Sequence, residues 1–194
     1  MAELESRFRD PTWLSERAIL CPTNKEADEI NAWMTENFPG DQKIFKSCDT
    51  TDENSLEFQS EFLNTLSLPG MPPHRLTLKK GMPVMLLRNL DQKNGHCNGV
   101  KYVVVNMHYD HVLELMAISG SSPGTKLFIP RITLISTSGT LPFTMRRKQF
   151  PIKPAFAMTA NKAQGQTLRE VGIYQGIDFF SHGQLYVYLS VCGD

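Results

Sequence analysis

Apolar and polar positions follow two different patterns along the chain. A short apolar run, Arg17-Ala-Ile-Leu-Cys21, predicts a buried strand closed by Pro22-Thr23-Asn24. Ala27, Ile30 and Met34 then recur at helical spacing, predicting a helix to about Phe38 with one apolar face. Thr23 and Glu26 have the spacing of a capping box, which satisfies free backbone donors at the helix start, and Pro39-Gly40 stops the helix. Strand, tight loop and helix in this order form the basic unit of an α/β sheet.

The pattern changes after this unit. Residues 47–74 hold Asp49, Asp52, Glu53, Glu57 and Glu61 with no Lys or Arg, and read as a solvated connection with one short helix near 57–66. The run Leu68-Pro-Gly-Met-Pro-Pro73 punctuates the chain and sets an expected boundary at about residue 70. Short strands follow at 75–78, 83–88, 101–107, 112–117 and 126–129, with tight turns at Asn94-Gly95 and Asn98-Gly99 and a polar loop at 119–124. Strands at this spacing suggest a small barrel. From Leu141 onward the α/β pattern returns: a buried strand at 155–158, a polar loop at 159–166 entering a helix, a strand at 171–174, and a helix opening at Ser181. The expected fold is therefore α/β, with an α/β domain (residues 1–70 and 140–194) interrupted by a β module (71–139).

Composition narrows the function classes. The 194 residues carry 20 Lys+Arg against 20 Asp+Glu, and 41% are hydrophobic, enough for one sizeable core. A zero net charge argues against a simple basic arm but leaves room for local patches. No run of about 18 apolar residues is present to span a membrane, and the polar first ten residues lack the apolar core of a signal peptide. Cys21, Cys48, Cys97 and Cys192 are far apart, which fits reduced thiols better than a disulfide framework or a zinc site. The five histidines form no metal-ligand spacing, and Asp178 with His182 makes a poor acid–base pair because His182 more simply occupies a helix's first turn.

Candidate chemistry concentrates where the strand at 155–158 ends. In open α/β sheets ligands bind at the carboxyl ends of strands. There Thr159, Asn161 and Gln164 can hydrogen-bond phosphate oxygens, Lys162 can neutralise one, and Gly165 lets backbone approach closely. A polar loop that merely caps a helix accounts for the same residues. Residues 141–169 hold Arg146, Arg147, Lys148, Lys153, Lys162 and Arg169 with no acid, and Phe143, Phe150 and Phe156 interleave with them. Such a stretch can stack bases and pair phosphates, or can be core aromatics beside a solvated basic face. No two glycines stand five positions apart, so the chain has no G-x-x-x-x-G-K-[ST] phosphate loop.

Taken together, Arg17-Ala-Ile-Leu-Cys-Pro-Thr-Asn24, Leu78-Lys-Lys-Gly-Met-Pro-Val-Met-Leu-Leu-Arg-Asn-Leu90, Cys97-Asn-Gly99, Phe128-Ile-Pro-Arg-Ile132, Arg147-Lys-Gln-Phe-Pro151, residues 155–167 and Phe180-Ser-His-Gly-Gln-Leu-Tyr-Val187 resemble the C-terminal half of the superfamily 1B DNA helicases of the petite-integration-frequency type. The Helitron-transposon branch is the most similar in pattern. The resemblance implies the second of two RecA-like lobes (the P-loop NTPase type), interrupted by a Src-homology-3-like β-barrel called 2B. It implies an ATP-dependent enzyme moving 5′ to 3′ on single-stranded DNA, nuclear, with the mitochondrion as the alternative compartment. By the same resemblance Thr23, Asn24, Thr159, Asn161, Lys162 and Thr167 face DNA. Gln164, Gly165 and Gln166 sense the nucleotide, and Lys79, Lys80 and Arg88 guide DNA from the barrel.

Three departures shape the expectation. The family's last motif places an Arg after Tyr-Val-Ala-Leu-Ser, whereas here Tyr186-Val-Tyr-Leu-Ser190 is followed by Val191. An arginine at a transferring phosphate is worth orders of magnitude in rate. Pro154 stands in the strand that leads to the 159–167 motif, where the family usually has a branched residue, and a proline there would remove a ladder donor. By the resemblance, the first lobe, with its phosphate loop and magnesium-binding acid, is expected to lie outside these 194 residues. The chain is thus expected to supply one wall of an ATP site and part of a single-strand channel, with the first lobe as its partner. No complete catalytic set and no metal site are expected, and ATP and Mg should not bind tightly to this chain alone. A non-catalytic single-strand binding module and a degenerate transposon-derived relic stand as the alternatives.

Overall fold

The computed structural model describes residues 7–51, 60–136, 141–164, 166 and 168–174. The first described helix, α1 (Pro11–Ser15), starts with proline in its first turn, and Asp10 caps it by accepting from the Thr12 and Trp13 backbone N–H groups. It leads into β1 (Arg17–Cys21) and then α2 (Asn24–Asn37). The expected capping box forms in full: Thr23 Oγ1 accepts from the Glu26 amide, and the Glu26 carboxylate accepts from the Thr23 amide.

β1 is the central strand of a parallel three-stranded sheet, between β12 (Ala157–Thr159) and β13 (Glu170–Ile173). α2 packs across this sheet, fastened by Asn31. The Asn31 Nδ2 donates to Ala157 O at 2.8 Å, and its Oδ1 accepts from the Phe156 and Ala157 amides at 2.9 and 2.8 Å.

The remaining strands are antiparallel. β5 (Pro83–Leu86), β6 (Lys101–His108), β7 (Val112–Ala117), β8 (Lys126–Pro130) and β11 (Ile152–Pro154) form a five-stranded sheet in the order β11-β5-β6-β7-β8. β2 (Lys43–Lys46) pairs with β4 (Arg75–Leu78). β3 (Cys48–Thr51) and β9 (Ile132–Ile135) flank β10 (Met145–Gln149). The described part of the acidic connection therefore carries one strand, β3, as well as the expected short helix, α3 (Ser60–Thr65), and β2 lies just ahead of it. Pairing of β2 with β4 on one side, and of β10 with β9 and β11 with β5 on the other, crosses both limits expected for the 71–139 insert. The division of the chain into lobe and insert stays a proposal.

One core joins the five-stranded sheet to the β2–β4 pair. Leu76, Leu78, Val84, Leu86, Leu113, Leu115, Phe150 and Ile152 pack with Trp13 and Phe38 in a single cluster. β5 is buried at every position because both its faces are covered: Val84 and Leu86 join that cluster, while Met85 packs with Ala18, Leu20 and Met158 of the parallel-sheet side. Pro154 is not part of β12. It ends β11, an edge strand, so the loss of its N–H breaks no central ladder.

β10 explains the basic stretch. Its residues alternate inward and outward, with Met145, Arg147 and Gln149 buried and Arg146 and Lys148 exposed. Arg147 is held by Asp49 of β3 through contacts of 2.8, 3.0 and 3.1 Å, and donates to Pro72 O and Leu63 O. Phe143, Phe150 and Phe156 are all buried. The base-stacking expectation for these three rings is therefore corrected: hydrophobic burial has claimed them as core.

Candidate nucleic-acid interface

Two parallel neighbours put the candidate residues on one edge. Cys21 and Thr159, the last residues of β1 and β12, are register partners. The chain leaves β1 into Thr23-Asn24 and leaves β12 into the short helix α4 (Ala160–Ala163), so both predicted groups emerge side by side at the carboxyl end of the sheet. Asn24, Asn161, Lys162 and Gln164 are exposed there, and Thr159 is half-buried. Thr159 is the N-cap of α4 but its side chain makes no capping hydrogen bond. Burial raises the Cys21 thiol to about 11, with the Glu26 charge adding to the effect, so this cysteine is an inert core group rather than a nucleophile.

A cleft of about 1040 Å³ runs beside this edge. One wall is α2, presenting Asn24, Lys25 and Asp28; the other is the Pro69–Pro73 turn with Arg75. Lys153, Lys162 and Asn98 also line it. Gln166 ties two of these parts together: its Nε2 donates to Lys162 O at 3.2 Å and lies 3.4 Å from Gly99 O, the residue next to Asn98. Its lining carries the cations Lys25, Arg75, Lys153 and Lys162 and the carboxylates Asp28, Glu29 and Glu36.

Residues 61–107 match the family described as DNA helicase Pif1, 2B domain. The Homo sapiens ATP-dependent DNA helicase PIF1 is 30% identical over 173 residues, covering 88% of this chain and 25% of that protein. Solved structures agree in fold. Two coordinating Pif1 helicases on forked duplex DNA give a TM-score of 0.68 at 24% identity, covering 99% of this chain and 40% of theirs. Bacteroides Pif1 in complex with ADP-AlF3 and ssDNA gives 0.67 at 23% identity, covering 99% and 42%. The chain is a relative of the Pif1 DNA helicases. It spans about a quarter of the length of the curated Pif1 proteins it matches.

In this Pif1-like chain the predicted site residues divide into three groups. Asn24 and Lys162 line the cleft, with Asn161 and Gln164 exposed beside it. Thr23 has its hydroxyl committed to Glu26, accepting from the amide and donating to Oε2 at 2.9 Å, so it shapes the cleft entrance through the helix cap. Lys79, Lys80 and Arg88 do not line the cleft. Lys79 needs correction as a DNA guide. It is 6% exposed, and its ammonium donates to Glu36 O and Phe38 O at 2.9 and 2.6 Å, closing the carboxyl end of α2. Arg88 donates to Gly70 O and Leu87 O, and Lys80 is exposed. Gly165, Thr167, the Asp178–His182 pair, the helix expected from Ser181 and the final motif lie outside the described residues.

The basic stretch is partly neutralised: Arg147 pairs with Asp49, Lys153 with Asp28 and Arg169 with Glu16. Asn31, Arg75 and Asn98 were not expected to matter. Asn31 had a legible signal, since a polar residue one turn after Ala27 falls on the apolar face of α2 and must find buried partners. Arg75 carries no such mark and Asn98 was marked only as part of a turn and of a shared motif, because their place in the cleft depends on how the β strands fold back on α2. Among the described residues no cluster of three or more His, Cys, Asp or Glu could hold a metal ion. The sequence also has no G-x-x-x-x-G-K-[ST] phosphate loop.

Proposed function

We propose that this chain is the second RecA-like lobe, with its 2B segment, of a nuclear or mitochondrial ATP-dependent DNA helicase moving 5′ to 3′, and that its cleft holds single-stranded DNA. The observation that carries this reading is the convergence of the β1 and β12 ends on one cleft lined by Asn24, Lys153, Lys162 and Arg75. Asn161 and Lys162 would pair successive phosphates, and Asn24 would contact the strand from the first turn of α2. Gln166, joining the 159–166 loop to the Asn98-Gly99 turn, would carry nucleotide-dependent movement of the loop into the floor of the cleft. The wall of the ATP site supplied by this lobe includes Gln164 and Gly165, with the first lobe supplying the phosphate loop and the magnesium ligand.

The test is fluorescence anisotropy of a labelled oligothymidylate against salt concentration. Binding through phosphates gives an affinity that falls with salt, by roughly 0.7 in logarithmic slope for each phosphate neutralised on a single strand. Lys162→Ala should weaken binding and flatten that slope. Affinity indifferent to salt would refute the reading. The purified chain should show no ATP turnover. Turnover only after addition of a separate first lobe supports the helicase reading over a non-catalytic binding module.

A further inference from the structure

Lys153 and Asp28 meet in the lining of the cleft. Lys153 lies on β11, in register with Met85 of β5, and Asp28 is in the second turn of α2. Their Nζ and Oδ1 atoms are 3.1 Å apart, and both residues line the cleft. The two partners are not equally held. The Lys153 side chain is 22% exposed, fixed against the β sheet, whereas Asp28 is 57% exposed. A carboxylate oxygen and a phosphate oxygen make the same charge-assisted hydrogen bond to an ammonium. Asp28 therefore occupies the position on Lys153 that a nucleic-acid phosphate would take, and it can leave cheaply because water is already at hand.

We propose that Asp28 is a built-in competitor for single-strand phosphate at Lys153, so that Lys153 is a DNA-binding residue released only when a strand displaces the carboxylate. The inference rests on the cleft being the single-strand channel. It predicts that each strand engaging Lys153 exchanges one ion pair for another, so this contact adds affinity without adding its full share of salt dependence. The device weakens grip at rest and lets a strand slide, since the lysine always has a partner to return to.

The test uses the full chain and a labelled oligothymidylate across a salt series. Asp28→Asn should tighten binding about two- to fivefold at about 0.1 M salt, the range of an exposed ion pair, and steepen the salt slope by about 0.7. Asp28→Ser should act in the same way. Glu29→Gln removes the same charge from the neighbouring cleft position, where the carboxylate faces Lys25 at 4.0 Å, and should change affinity less. In a Lys153→Met background, Asp28→Asn should have no effect. Equal effects of the Asp28 and Glu29 exchanges, or tightening that persists without Lys153, would overturn the proposal while leaving the channel intact. A wild-type chain that binds no oligonucleotide would overturn the channel reading and this proposal with it.

Discussion

Removing the Asp49 carboxylate tests how the two halves of the charge pattern are held together. Arg147 is 1% exposed and the Asp49 side chain is fully buried. The guanidinium gives Asp49 contacts at 2.8, 3.0 and 3.1 Å, and the Pro72 and Leu63 carbonyls accept at 3.1 Å each. Asp49→Ala leaves those two neutral acceptors facing a full charge that water cannot reach. Breaking one side of a buried pair costs about 3–5 kcal/mol. With a urea m-value of about 2 kcal/mol/M, the midpoint should fall by roughly 2 M. The double variant Asp49→Leu with Arg147→Met removes both charges and should recover much of that loss, because two desolvated ions are replaced by apolar groups of similar size. Equilibrium urea unfolding followed by tryptophan fluorescence reads all three proteins. A loss below about 1 kcal/mol in Asp49→Ala, or a double variant no more stable than the single, would refute the claim that a buried charge pair joins β3 to β10. Single-strand affinity of the folded double variant should be unchanged, since Arg147 faces the core.

Three other outcomes follow from the same structure. Burial lowers the Lys101 ammonium to about 8 from an ordinary 10.5, and among the described residues its Nζ donates to Arg17 O alone, at 3.3 Å. Between those two pH values the unfolded chain binds the extra proton, so stability should rise with pH there and be insensitive to this group below about 8. Lys101→Met should flatten that rise and raise stability at pH 7 by about 2 kcal/mol, measured as urea midpoints at pH 7 and pH 10. Asn31→Ala removes the partners of the Phe156 and Ala157 amides and the Ala157 carbonyl, and should cost about 2–4 kcal/mol in the same assay while weakening oligonucleotide binding through the displaced 159–162 segment. Lys79→Met should lower stability by about 1–3 kcal/mol and leave the salt slope of binding unchanged, the reverse of what Lys162→Ala does.

The local elements were legible wherever a single rule decided them. Strand 17–21, the Thr23–Glu26 cap, the helix ending before Pro39-Gly40 and the strands around Asn98-Gly99 follow from spacing and turn chemistry alone, and the structure has them. β2, β3 and β10 were not legible as strands. β10 reads Met-Arg-Arg-Lys-Gln, and its inward positions include an arginine and a glutamine, so the alternation of burial has no matching alternation of hydropathy. β3 is hidden for the same reason, with Asp49 as its buried residue.

By itself the sequence determined that the α/β and β patterns alternate, that the 159–166 loop follows a buried strand, and that opposite charges are segregated into an acidic block before residue 74 and a basic block after 141. It also carried the motif order shared with the Pif1 helicases. Only the tertiary structure decided what the charges do. Register pairing of β3 with β10 sets Arg147 directly opposite Asp49 inside the protein, and α2 brings Asp28 to Lys153 at the cleft. The Lys79 ammonium turns inward to the end of the same helix. Whether a cation is buried, paired or open to a phosphate depends on which residue distant in sequence comes within about 3 Å of it, and that distance is fixed by packing.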